Sequence, residues 1–283
     1  PMVKKPIRRE VRDVTVGDVR IRAVEVGGGR GPALLVIHDL MASHTEWDDV
    51  LDELAAEFHV VAPDLPGFGE SAKPSPSRYD YGFATLAESM ADLIAGLALG
   101  RVHVMGHGLG GAVAMTLAAQ HPELVERVVL IAPTCFPSPL PFRSRLALYP
   151  VIGPFVFKQL YGRGLFRAYF REQVYAHRDR MNVQRIDELY DQFNGPAARE
   201  SAYATMRSML DTRTLVALFG RVRAQCLVLW GRDDLIQPAA FATKLARQLP
   251  DARLELMDAG HSPAEEVPEE LGRHVVEFLR GRR

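Results

Sequence analysis

Cysteine is scarce: two residues among 283, Cys135 after one apolar run and Cys226 opening another. Neither the spacing of a thiolate metal site nor a disulfide framework is present, so both read as buried free thiols. The one H-x-x-x-H spacing, His103 to His107, falls in an apolar strand run with no further ligand cluster beside it in sequence, and no metal or other cofactor is expected. Long apolar stretches are missing too. None approaches the ~20 residues that a bilayer span requires, and the charged segment Pro1 to Arg12 is unlike a signal peptide, which leads us to expect a cytoplasmic protein with no membrane partner. An excess of one charge is also lacking, with 34 basic against 35 acidic side chains. The basic clusters, Lys4-Lys5, Arg8-Arg9 and Arg280, Arg282 and Arg283, lie toward the two ends as solvated tails, and no nucleic acid partner is expected.

What is present is an ordinary globular composition, 47% hydrophobic and 24% charged, in a chain long enough for one core plus an inserted subdomain. Val11 to Val16 and Val19 to Val26 alternate apolar and polar residues around Gly17-Asp18, as a hairpin with one buried face does. Ala33 to Ile37, His59 to Ala62, Val102 to Met105, Val128 to Ala132 and Leu227 to Trp230 are short, continuous, apolar runs suited to strands covered on both faces. Between them, Glu46 to Glu57, Ala84 to Leu99 and Leu109 to Gln120, and after them Ala239 to Gln248 and Pro268 to Leu279, carry apolar residues at helical spacing. Alternation of this kind predicts an α/β fold, a mostly parallel sheet with helices on both faces. Phe136 to Val222 breaks the rhythm: aromatic-rich, opened by Pro137, Pro139 and Pro141, and without a strand. We divide the chain into a core, residues 1–136 and 222–283, and a helical lid, 137–221, whose aromatics form mainly its own core.

One segment stands out chemically. Val102 to Gly111 reads V-H-V-M-G-H-G-L-G-G and passes from a buried strand through a glycine-dense turn into a helix. In a nucleophile elbow, small residues two before and two after the nucleophile let strand and helix cross closely. Gly106 and Gly110 are such flanks, and the position between them, where Ser, Cys or Asp is expected, is Gly108. A dinucleotide fingerprint is the competing reading, but the segment does not open the first βαβ unit and no acidic residue ends the next strand.

Further motifs complete the pattern in order: His38-Asp39-Leu40 after a strand, Asp64-Leu65-Pro66-Gly67-Phe68-Gly69-Glu70-Ser71, Gly231-Arg232-Asp233-Asp234, and Ala259-Gly260-His261-Ser262-Pro263. From about Val11 to Leu279 the chain resembles the α/β-hydrolase family, closest to its lidded esterase, C–C hydrolase and perhydrolase-like members. The resemblance implies an eight-stranded sheet, Gly108 at the nucleophile position, Asp234 as the acid (preferred over Asp233 by its spacing from Gly231), His261 as the base, and the Leu40 and Leu109 amides as oxyanion hole. His107 is expected to pack in the turn.

Two residues depart from the family pattern: Gly108 offers no attacking group, and Asp39 replaces the usual glycine after His38. Facing inward, the Asp39 carboxylate would modulate the hole by opposing an oxyanion; facing away, it would merely suit a left-handed turn. We therefore expect a carboxylic ester or related acyl hydrolase, esterase-like, with its triad incomplete and little hydrolysis, as in an engineered or inactivated variant. Two alternatives stand beside it: an enzyme using His261 and Asp234 as general base without a nucleophile, and a binding protein for a small apolar ester-like or acyl ligand.

Overall fold

The computed structural model describes residues 8–28, 31–137, 155, 157 and 161–281. Strands β1 (Arg9–Val16) and β2 (Val19–Val26) form the expected hairpin, Val16 opposite Val19, with Gly17 at φ 61° in the turn. The inner strands follow: β3 (Ala33–Ile37), β4 (His59–Pro63), β5 (Val102–His107), β6 (Val125–Ile131) and β7 (Gln225–Gly231). Every residue of β3 and β5 is buried, which is why their sequences show continuous apolar runs instead of alternation. An eighth strand, β8 (Ala252–Met257), was not located from the sequence, because at the sheet edge its Arg253, Glu255 and Leu256 side chains alternate with or remain in solvent. The sheet order is β1-β2-β4-β3-β5-β6-β7-β8, antiparallel from β1 to β4 and parallel thereafter.

Helices cover both faces. Val102 and Val104 of β5 pack with α2 (Phe83–Gly96) and α3 (Leu109–Gln120), while Met105 points to the other face, with α1 (Leu51–Ala55) and the C-terminal helix. The expected single helix over Glu46 to Glu57 is instead a 3-10 turn, His44–Trp47, followed by α1. The neighbours Glu46 and Trp47 are both buried in that turn.

Between β6 and β7 the described residues contain no strand. They form α4 (Arg163–Tyr169), a π turn (Phe170–Val174), α5 (Val183–Phe193), α6 (Pro196–Ser208) and α7 (Arg213–Val216). Of the inserted interval, residues 138–154, 156 and 158–160, including Pro139, Pro141, Phe142 and Tyr149, lie outside the described residues. Phe166 stacks on Phe193 at 5.4 Å and Phe157 meets Phe193 edge-on at 5.6 Å. Polar ties fasten this layer to the core: Arg185 donates to Asp49 and Glu265, Tyr81 shares a 2.9 Å bond with Ser201, and the His261 N–H donates to the Val174 carbonyl at 2.7 Å. Helices α8 (Ala240–Ala246), α9 (Pro263–Glu266) and α10 (Pro268–Leu279) complete the fold.

Candidate active site

The turn from β5 into α3 places residue 108 at φ 49°, ψ −111°, a conformation that only glycine occupies without strain. Its flanks are glycine for reasons of contact. A Cβ at Gly106 would lie 2.2 Å from the Gly110 carbonyl oxygen, and one at Gly110 would lie 2.1 Å from that of Ile37. The elbow is thus retained as a backbone shape.

The space beside Gly108 is filled from the neighbouring loop. A Cβ on Gly108 would stand 1.9 Å from Asp39 Oδ1 and 2.2 Å from its Cγ. Asp39 Oδ1 accepts the Leu109 N–H at 2.7 Å, and Oδ2 lies 3.2 Å from His261 Nε2. Asp39 therefore faces inward; the left-handed residue of its turn is Met41, at φ 58°. The backbone around Asp39 is held firmly. His38 accepts the Leu65 N–H on Nε2 and donates from Nδ1 to the Asp39 carbonyl, while the Asp39 N–H donates to Glu46 Oε2 at 2.9 Å. One expectation needs correction: the Leu109 amide is not an open oxyanion donor, because it is already bonded to Asp39. For the Leu40 N–H no acceptor occurs among the described residues.

On the opposite side, His261 Nδ1 donates to Asp234 Oδ2 at 2.7 Å, and Asp234 Oδ1 accepts the Ile236 and Gln237 amides at 2.8 Å each. Asp233 points to solvent. The close approach of the two loops requires Gly231, whose Cβ would lie 1.9 Å from the Gly260 carbonyl. Asp234 and His261 side chains are 0% and 3% exposed, Asp39 17%, so the carboxylate nearest Gly108 is the reachable end of the chain of bonds.

Burial works against charge on His261, but Asp234 and Asp39 outweigh it and raise its pKa from 6.5 to about 10. For Asp39, burial pushes the pKa up, yet the hydrogen bond from His261 and the charge of His107 hold it below the usual carboxylate range. The imidazole thus lies between Asp234 and Asp39, an arrangement that favours its protonated form.

Sequence reasoning missed Glu46 and gave His107 only a packing role. His107 Nδ1 bonds Glu46, which raises its pKa despite complete burial, and its ring lies 4.6 Å from that of His261. His107 Nε2 is buried without a partner. Although far apart in sequence, Asp39, His107 and His261 bring donor atoms within 4.8 Å of one another, a set with cation-binding chemistry. Glu46 gave no sequence signal, since it lies 61 positions from His107. Tyr169, from the inserted helices, stands near enough that the charges of Asp39 and Asp234 add to burial in raising its pKa.

Residues 34–273 match the model of the alpha/beta hydrolase family. The chain belongs to that family. It is 32% identical to a pimeloyl-acyl-carrier-protein methyl ester esterase of Nitrosomonas europaea over 86% of this chain and 94% of the relative. It is 31% identical to a fluoroacetate dehalogenase of Burkholderia sp, covering 95% and 93%. A putative lipase of Acinetobacter baumannii superposes with a TM-score of 0.82 at 25% identity, covering 96% of this alpha/beta hydrolase and 91% of the lipase. Among the described residues no helix is long and apolar enough to cross a membrane.

Proposed function

We propose that the protein is a working hydrolase of small, mainly apolar molecules in which His261, oriented by Asp234, serves as acid and base, and in which no seryl acyl-enzyme forms. The Gly108–Asp39 complementarity carries this reading. An elbow that had merely lost its side chain would leave a gap; here the second departure from the family pattern fills it and bonds both the elbow amide and the histidine. The two changes therefore belong to one arrangement. This favours a rebuilt site over the inactivated variant expected from the sequence, and a buried ionic chain of this kind is costly unless it is used or fully bonded. Relatives that act on a methyl ester and on fluoroacetate support a hydrolytic role while leaving the leaving group open. The inserted helices serve as the lid, with Tyr169 within electrostatic range of Asp39.

Treatment with a fluorophosphonate probe, followed by intact-mass spectrometry, should leave the protein unlabelled. Hydrolysis, measured on a panel of short activated esters, epoxides and halides, should occur without an acyl-enzyme burst and should vanish in His261→Ala. Covalent phosphonylation of any serine, or turnover that survives His261→Ala, would overturn the proposal.

A further inference from the structure

We propose that Asp39 is the nucleophile, displaced from the elbow to the loop after β3, and that its substrates are saturated-carbon electrophiles: small strained cyclic ethers or organic halides. The inference rests on the hydrolase reading above and names its attacking atom and substrate class. Three observations carry it. The carboxylate lies over Gly108 where an elbow side chain would project, 1.9 Å from that residue's absent Cβ position. Its partners are those an elbow nucleophile needs, the amide of the next residue and the Nε2 of the histidine. It is also the most accessible member of the Asp39–His261–Asp234 chain, at 17% against 3% and 0%.

The chemistry of a carboxylate selects the substrate. Attack on an ester carbonyl would form an anhydride by expelling an alkoxide, a far poorer leaving group than the carboxylate, so the addition reverses. Attack on saturated carbon instead forms a stable alkyl ester. Asp39 Oδ2 makes the new C–O bond while the C–O bond of the ring, or the C–X bond of the halide, breaks. A ring opening leaves an alkoxide that takes the proton from His261 Nε2; a halide leaves as the anion, and His261 loses its proton to solvent. Either way Asp39 becomes a neutral ester, which removes one of the two charges that held the proton on His261. Neutral His261 then takes a proton from water as the water oxygen attacks Cγ of Asp39. The negative charge developing on Oδ1 is met by the Leu109 N–H that already bonds it. Collapse releases the alcohol and restores the carboxylate, so the sum is addition of water to the ring or exchange of halide for hydroxyl.

The test uses His261→Gln, which blocks the second step and so accumulates the ester; halide displacement needs no proton in its first step, whereas ring opening is slowed by loss of the His261 proton. After incubation with 1-bromobutane, or longer with styrene oxide, peptide mass spectrometry should find one adduct, on Asp39, and none in His261→Gln combined with Asp39→Asn; turnover of each reagent by the unaltered protein assigns the leaving group. The unaltered protein is examined beside it, in a single turnover in 18O-labelled water, so that the result does not depend on a variant's folding. Label should enter the Asp39 carboxylate, with the product oxygen unlabelled. Label appearing directly in product, or no Asp39 ester from either reagent, overturns the assignment. So does activity abolished by EDTA and restored by zinc, which would make Asp39, His107 and His261 cation ligands. Ester hydrolysis that depends on His261 without any Asp39 adduct would overturn the nucleophile and leave the hydrolase reading standing.

Discussion

The histidine side and the elbow side of the site meet the same geometric demand in different ways. On the histidine side the residues and their positions follow the family pattern: Asp234 holds His261 at 2.7 Å, buried and steadied by two amides. On the elbow side the backbone turn survives at Gly108, but the functional group arrives from Asp39, 69 positions earlier in the chain. The contrast teaches that the point between the Leu109 amide and His261 Nε2 can be reached from a loop other than the elbow.

Breaking the histidine side should have the largest effect. His261→Ala is expected to lower turnover by about 10³-fold or more, in the range seen when a triad member is deleted; steady-state kinetics on the best substrate of the panel measures it. Asp39→Asn keeps the shape and the Leu109 bond while removing the charge. We expect a loss of similar order, with a melting temperature lowered at neutral pH because the His261 imidazole loses one of its two carboxylate partners. If Asp39→Asn proves fully active, the elbow side is structural and the two halves are not equivalent.

The next prediction exchanges one rule for the other. Gly108→Ser alone should give no fluorophosphonate-reactive serine, because its Cβ displaces the Asp39 carboxylate. Combined with Asp39→Gly, it should become reactive, with Leu109 again free to act as a donor. A reactive single variant would show that the carboxylate swings away easily. Gly108→Ala should destabilise the fold by about 1 to 3 kcal/mol from its backbone conformation alone, read from urea denaturation, with Gly108→Ala/Asp39→Gly recovering only the part due to contact.

A smaller effect concerns pH. The carboxylates of Asp234 and Asp39 raise the pKa of His261 in the fold from 6.5 to about 10. That stabilisation is full below the unfolded value and is lost as pH rises from there through about 10. The melting temperature of the parent should therefore fall over this window more steeply than that of His261→Gln. Parallel curves would mean that the imidazole is already neutral between its two carboxylates.

Much of this was legible in the sequence because the determinants are local. Strand β3 announces itself as a buried run, and the flanks of the elbow are small because helix and strand touch there. Asp234 was separable from Asp233 by its distance from Gly231. Strand β8 escaped because an edge strand needs few apolar residues. The direction of Asp39 was undecidable for another reason. Whether it turns inward depends on Leu109 and His261 meeting its carboxylate from loops distant in sequence. The His107–Glu46 pair is hidden in the same way, as a contact between the elbow and a turn after β3.

The fit of the Asp39 carboxylate against a bare α-carbon also sets an order in which the protein can be altered. A seryl elbow and an inward Asp39 cannot occupy the site together, so no conversion between the two designs passes through a chain carrying both. The passable intermediate has glycine at 108 and glycine at 39, a variant that folds around an empty place and leaves His261 nothing to act upon. Directed evolution by single substitutions should stall at that inert stage, and libraries that vary positions 39 and 108 together should cross it.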